Sequence, residues 1–518
     1  MTDWEIVTVT SGLWSRRRVL GTGAAATLGA AAGSALLSGR AAAFVPAGRP
    51  VLTHGVQSGD AVGNSAYVWT RADRVGRMFV EVSERPDFRH ARVLRGPLLT
   101  PDTDFTGKLR LTGLRPGQKT FYRVQVEADA RLRSEPLIGS LAAPGRNDGI
   151  RFVWTGDIAG QGYGINPEIG GMRIFRAMRD VKPDFYLCSG DNIYADGVIP
   201  ETIALPDGRI WRNITTPAKR KVAETLDEYR GNYAYNLLDA NLRAFAAEVP
   251  QINQWDDHEV RNNWYPGQIL DDPRYTEKRV DVLAARAKQA YREWVPVPDG
   301  PIYRKLSFGP LLDLFVLDMR TYKDPNDGNV YADPKRGLLG REQREWLIRG
   351  LTQSRASWKV IANDLPLGLV VGDGPGAYEG VAQGDNGAPK GRELEFAEIL
   401  RTVHRRGVEN IVFVTADVHY SAAHHYDPAR AAVGDFTPFW EFVSGPANAG
   451  AFGPGALDGT FGPRAEFVSA PPRQNASPAE GFQHFGEVDI DRHSRELTVR
   501  LRDLDGAVLW AKTLPAAR

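Results

Sequence analysis

Leu187-Cys188-Ser189-Gly190-Asp191-Asn192-Ile193-Tyr194 begins as an apolar strand and stops, after a glycine, on an acid. Related endings occur in Phe152-Val153-Trp154-Thr155-Gly156-Asp157, Gln254-Trp255-Asp256-Asp257-His258-Glu259 and Val414-Thr415-Ala416-Asp417-Val418-His419. In open α/β sheets ligands bind at the carboxyl ends of strands. A glycine before the acid lets the backbone turn sharply there. One such aspartate can serve simply as a helix cap. Four in one region, two of them paired with histidine, point instead to a shared centre. Converging carboxylates repel unless protons or cations compensate them, so the pattern predicts metal ions, with one aspartate able to bridge two. Tyr194, three residues past Asp191, can turn back to the same centre. A phenolate ligand calls for a strongly Lewis-acidic ion such as ferric iron, because an unperturbed tyrosine stays protonated near neutrality.

The surrounding sequence sets these endings in an α/β frame. Short apolar strands are expected at 152–155, 185–188, 314–317, 360–362 and 411–415, with helical periodicity at 171–178, 220–245, 341–352 and 394–406. Such alternation argues for helices covering a sheet. The chain then returns to strands at 439–443, 485–491 and 497–501, which two mixed sheets packed face to face would accommodate. Residues 51–145 differ: short apolar runs alternate with Gly, Pro and Asp turns, as in a small β-sandwich, with a linker near 142–147. The Gly/Pro/Asp-rich stretches 196–218, 323–340 and 370–392 read as long surface loops, where substrate selection commonly resides.

At 518 residues, two or more domains are expected, and 42% apolar with 25% charged residues is ordinary for a soluble globular protein. A net charge of +1 leaves no global field for nucleic acid, so no stable nucleic-acid complex is expected. Cys188 is the only cysteine, which excludes an intrachain disulfide; it reads as a buried strand residue rather than a ligand. With nine histidines and one cysteine, a metal site must lean on carboxylates and favour hard ions. Residues 1–43 hold Arg16-Arg17-Arg18, a weakly apolar Gly/Ala/Leu run and the small residues Ala41–Ala43. That is the layout of a twin-arginine export signal, which predicts a Tat-machinery partner and a secreted or periplasmic destination.

The ordered set Gly55–Asp60, Val68–Arg71, Ser189–Gly197, Trp255–Trp264, Ala416–Ser421 and Phe485–Asp489 resembles the alkaline phosphatase D (PhoD-like) family within the calcineurin-like and purple-acid-phosphatase superfamily. The resemblance implies a fibronectin III-like N-terminal all-β sandwich over 44–145 and a four-layer α/β/β/α metallophosphoesterase domain over 146–518. Asp157 resembles the first metal ligand, Asp191 the bridging carboxylate and Tyr194 the phenolate on iron. Asp257 resembles a ligand of the second metal, with Asp256 an alternative in an adjacent register. His258 matches the histidine that contacts phosphate or protonates a leaving group, and Asp417 with His419 resembles the distal ligand pair. Asn363 is a weaker site candidate, and Arg261 and Arg320 are cations available near strand ends. Two departures stand out: Asp157 occupies a position where the best-known member has cysteine, and Ala159 replaces the histidine of the superfamily's usual first motif. Fe3+ with Ca2+ is the family-like cofactor set, with Zn2+, Mn2+ or a second iron as alternatives. The implied activity is alkaline phosphatase or phosphodiesterase chemistry on phosphate mono- or diesters in phosphate scavenging, by a monomer. A phospholipase D-like phosphodiesterase and a secreted β-sandwich binding protein with an inactive hydrolase-like domain are the alternatives.

Overall fold

The computed structural model describes residues 48–129, 132–145, 148–333 and 336–517; the expected export signal lies outside them. The N-terminal part is built from β1 (Leu52–Val62), β2 (Ser65–Ala72), β3 (Gly76–Ser83), β4 (Arg92–Leu99), β5 (Thr106–Thr112), β6 (Thr120–Glu127) and β7 (Leu137–Leu141). Alternation in β3 and β6 sends Met78, Val80, Val82, Tyr122, Val124 and Val126 inward. They meet Val56, Val68 and Leu111 from β1, β2 and β5. The result is a sandwich of a four-stranded sheet, β4-β3-β6-β7, on a three-stranded one, β1-β2-β5.

Two larger sheets follow. The first adds β8 (Ile150–Thr155), β9 (Phe185–Ser189), β12 (Gln251–Gln254), β20 (His484–Ile490), β21 (Leu497–Asp503) and β22 (Val508–Leu514); β10 (Thr202–Ala204) and β11 (Ile210–Arg212) form a separate hairpin. The second contains β13 (Arg304–Phe308), β14 (Leu312–Val316), β15 (Trp358–Ala362), β16 (Ile411–Thr415), β17 (Ser421–Tyr426), β18 (Phe439–Val443) and β19 (Pro463–Ser469). Its order is β13-β14-β15-β16-β18-β17-β19. The first sheet runs β22-β21-β20-β8-β9-β12-β1-β2-β5, so one face of the sandwich continues the large sheet. The junction is the parallel pairing of Gly59 with Gln251. A Cβ on Gly59 would lie 2.4 Å from the Pro296 carbonyl, so only glycine fits this close approach.

The sheets pack through Trp154, Leu187, Leu314, Val360, Val414 and Phe442 among others. Each such side chain contributes about 1.5–3 kcal/mol on burial. Helices α1 (Ile174–Asp180), α2 (Leu226–Asn236), α3 (Ala240–Glu248) and α4 (Val280–Trp294) cover the outer face of the first sheet. α5 (Gly340–Gln353) and α6 (Glu393–Arg405) cover that of the second. This is the expected four-layer arrangement.

Two local expectations are corrected, and one strand was not foreseen. The helix expected over 220–245 is two, because Asp239 turns the chain and caps α3 by accepting from Leu242 N at 2.9 Å. The segment 196–218 contains the β10–β11 hairpin, not only loop. β12 is the polar sequence Gln-Ile-Asn-Gln yet is wholly buried, since Gln251 Nε2 donates to Gln57 and Gln254 Nε2 donates to the carbonyls of Leu317 and Ala362. Buried amides are tolerated when hydrogen-bonded; Gln251 joins neighbouring strands of the first sheet, and Gln254 links the two sheets where their strands end.

Candidate metal centre

Strands β8, β9 and β12 are mutually parallel in the first sheet, and β14, β15, β16 and β18 in the second. Asp157, Asp191 and the Asp256–His258 turn follow β8, β9 and β12, while Asp417 and His419 follow β16. Asp157, Asp191, Asp417 and His419 all adopt left-handed backbone, with φ of 57°, 49°, 66° and 59°. Aspartate and histidine enter that region more readily than most residues, and there it turns each side chain off its strand into the shared space. Gly190 has φ of 89°, and a Cβ on it would meet Asp256 Cβ at 2.4 Å. Its place before Asp191 is therefore required both by the turn and by the neighbouring loop.

Two groups of side chains come within ligating distance of a common point. Asp157, Asp191 and His419 form one, and Asp191, Asp257 and His258 the other, with the ligand atoms of each group within 4.8 Å of one another. All are buried, and Asp191 belongs to both. His419 Nδ1 donates to the Gly450 carbonyl at 2.5 Å, which leaves Nε2 facing Asp157 at 3.6 Å and the Tyr194 hydroxyl at 2.7 Å. Tyr194 is fully buried against the first group, its ring 4.2 Å from that of His258. Ala159, where the superfamily's usual motif has histidine, is buried and offers no donor.

The electrostatics call for protons or cations to compensate the clustered carboxyls. Burial, together with neighbouring carboxylates, pushes the carboxyls of Asp157, Asp191 and Asp417 well above their ordinary range. Both oxygens of Asp157 are buried without a hydrogen-bond partner. A carboxylate so placed is costly unless a proton or a cation satisfies it. Carboxylates with one imidazole per group and a phenol nearby suit hard or borderline ions. The donor set thus fits two cations sharing Asp191.

His258 stands apart in character. Burial opposes its charged form, but Asp196 at 2.7 Å from Nδ1 and Asp257 at 3.9 Å from Nε2 raise its pKa to about 9. Asp196 also accepts from Asn262 N, which fixes its orientation. His419 goes the other way, lowered to about 4 chiefly by burial.

The remaining sequence candidates are distributed behind or beside the centre. Asp256 pairs with Arg320 rather than joining either group. Arg320 is wholly buried, contacts Glu379, and approaches Asp417 at 3.4 Å and Asp257 at 3.9 Å. Arg261 turns to Gln268 at 3.3 Å. Asn363 donates to the Leu365 carbonyl at 2.6 Å and to Glu441 at 3.3 Å, behind the strand ends. The Cys188 thiol is buried and donates to the Gly190 carbonyl.

Above the centre lies a cleft of about 460 Å³. Val370–Gly372 and Glu379 reach it from the third long loop, with Leu369 just before that loop, and no described residue of the 196–218 and 323–340 stretches lines it. Asp196, Glu379, Asn262, Asn263 and Phe452 escaped the sequence reading. Asp196 sits five residues past Asp191 in the same loop, and that proximity was its one available signal.

Fold and centre together define a two-sheet, four-layer protein with a carboxylate-rich site for a pair of cations at the strand ends. A family model described as PhoD-like phosphatase matches residues 152–501, and one described as PhoD-like phosphatase, N-terminal domain, matches residues 39–143. The chain belongs to the PhoD-like phosphatase family. It is 30% identical over 400 residues to alkaline phosphatase D of Bacillus subtilis (strain 168), across 72% of this chain and 65% of that protein. Among solved structures, a structure of PhoD superposes with a TM-score of 0.68 at 21% identity, covering 92% of each chain. Purple acid phosphatase PPD1 from yellow lupin (Lupinus luteus) seeds superposes with a TM-score of 0.55 at 13% identity, over 90% of this chain and 74% of that one. These two likenesses concern the fold.

Proposed function

We propose that the protein is a metal-dependent phosphoric ester hydrolase of the alkaline phosphatase or phosphodiesterase type. The observation that carries this reading is the pair of buried ligand groups sharing Asp191. Asp157, Asp191 and His419, with Tyr194 beside them, would hold one ion, and Asp191, Asp257 and His258 would hold the second. When bound, the ions supply Lewis acidity toward phosphoryl oxygens and make water a better nucleophile. Tyr194 favours ferric iron in the first position, and the carboxylates of the second suit a harder divalent ion such as calcium.

The chain's own groups supply the rest. His258 is held with Nδ1 on Asp196, so its Nε2 faces the cleft side of Asp257. In its protonated form it donates from Nε2 to the oxygen of the departing alcohol. Arg320, behind the centre, offsets the charge of Asp256, Glu379 and Asp417 without entering the cleft. The twin-arginine pattern at Arg16-Arg17-Arg18 supports export by the Tat route to the periplasm or medium, where phosphate scavenging would operate. Among the described residues no helix is long and apolar enough to cross a membrane.

Elemental analysis of purified protein, alongside alcohol release from phosphate mono- and diesters, tests the proposal. Bound metal and metal-dependent turnover are expected, both lost in Asp191→Asn. A metal-free protein with no metal-restored turnover sinks the enzymatic reading.

A further inference from the structure

The cleft has one wall whose composition the proposed chemistry does not use. Val370, Val371 and Phe452 stand half-buried along it, above the buried Leu369 and Tyr420. Two loops build this wall and are sewn to each other: Leu369 pairs with Leu457, and Val370 N donates to the Ala456 carbonyl at 2.9 Å. Tyr420 Oη accepts from Gly455 N at 3.2 Å, which ties the second loop down again. Phe452 is also fastened to the centre itself. Its N–H donates to the His419 carbonyl at 3.1 Å, and its ring meets the His419 imidazole edge-on at 5.2 Å.

The same cleft is lined by Asp191, Asp257, His258, Asp417 and His419, so an ester whose phosphoryl group these residues would bind through metal would place its organic substituent among these side chains. Elsewhere the cleft offers the amides of Gln161, Asn262, Asn263 and Gln474, with the carboxylate of Glu379 turned back to Arg320. No lysine or arginine is among the described residues lining the cleft. The organic substituent therefore meets an apolar, pre-organised face on one side and neutral hydrogen-bonding groups on the other. Ordered walls of this kind recognise apolar surface, with a few polar groups fixing orientation.

We infer that Phe452 and Val371 are specificity-determining residues that select phosphate esters whose alcohol carries an apolar face, aryl or alkyl, over esters of small polyols. The inference rests on the phosphoesterase reading above and names the side of the site that reads the alcohol. Removing the Phe452 ring exposes to water the substituent it would cover. Loss of an aromatic contact of that size changes selectivity by tenfold or more, which corresponds to about 1.4 kcal/mol.

The test compares kcat/KM for 4-nitrophenyl phosphate and glycerol phosphate, and for their methyl diesters, in the metal-loaded full chain. In Phe452→Ala the aryl-to-glycerol ratio should fall at least tenfold, and Phe452→Leu should restore it to within threefold. Because Phe452 also touches His419, Val371→Ser provides a second variant on the other loop, with the same direction of change expected. A ratio within twofold of the parent in both Phe452→Ala and Val371→Ser overturns the assignment while leaving the phosphoesterase reading intact. Absence of turnover of every ester by the parent protein removes both.

Discussion

Gly160 provides the sharpest mechanical test of the centre, because it touches none of the ligand candidates' charges. A Cβ at this position would fall 2.2–2.4 Å from Cγ, Cδ1 and Cδ2 of Tyr194. Ordinary carbon contacts are about 3.5–4.0 Å, so in Gly160→Ala the ring must retreat by more than about 1 Å. Its room is limited. Tyr194 is buried, its ring lies 4.2 Å from that of His258, and its hydroxyl is 2.7 Å from His419 Nε2. Gly160 does not have left-handed backbone, so alanine adds steric strain alone. Overpacking of this kind costs about 1–3 kcal/mol, and a displacement near 1 Å in a catalytic site can cost about 100-fold in rate. The expected result is a 10- to 100-fold loss of kcat on a simple phosphate ester, with reduced retention of the ion beside Tyr194. Elemental analysis, steady-state kinetics and urea unfolding read the three effects separately. Gly197→Ala is the control, since its Cβ would meet Tyr194 at an ordinary 3.6 Å. Parental kcat and metal content in Gly160→Ala would refute the placement of Tyr194 against the centre.

Further outcomes follow from the same geometry. Asp157→Asn and Asp257→Asn should each retain about one ion fewer than the parent, because each residue belongs to a single ligand group; equal stoichiometry would argue against two positions. In metal-free protein the folded-state pKa of His258, about 9, exceeds the unfolded value, so its contribution is full below about pH 6.5 and fades as pH rises through 9. Asp196→Asn should lower that midpoint, seen by NMR titration of the ring, and the stability gap between parent and variant should narrow from pH 6 to pH 10. Arg320→Met leaves Asp256 buried without its partner and Glu379 with Lys323 alone, and should cost about 3–5 kcal/mol in urea unfolding. Arg320→Lys keeps the charge and should cost less; equal losses would deny the charge a part.

The sequence by itself determined the strands and their acidic endings, because local rules govern both. Short apolar runs that stop on an aspartate, after glycine in β8 and β9 and after alanine in β16, mark the strand ends; parallel pairing aligns β8 with β9, and the packing of the second sheet brings the end of β16 to them. It also determined the change from a β-rich beginning to alternating strands and helices. Tertiary structure alone decided which aspartate of the 256–257 pair joins the centre, since adjacent side chains diverge: Asp257 joins the ligand group while Asp256 meets Arg320. It decided that the polar β12 is a buried strand, because its amides find partners only when both sheets are assembled. And it decided how Phe452 and Glu379 line the cleft and how Asp196 holds His258 beside it, which depends on loops brought together from distant parts of the chain. Periodicity records the face an element buries; it carries no record of what will lie opposite.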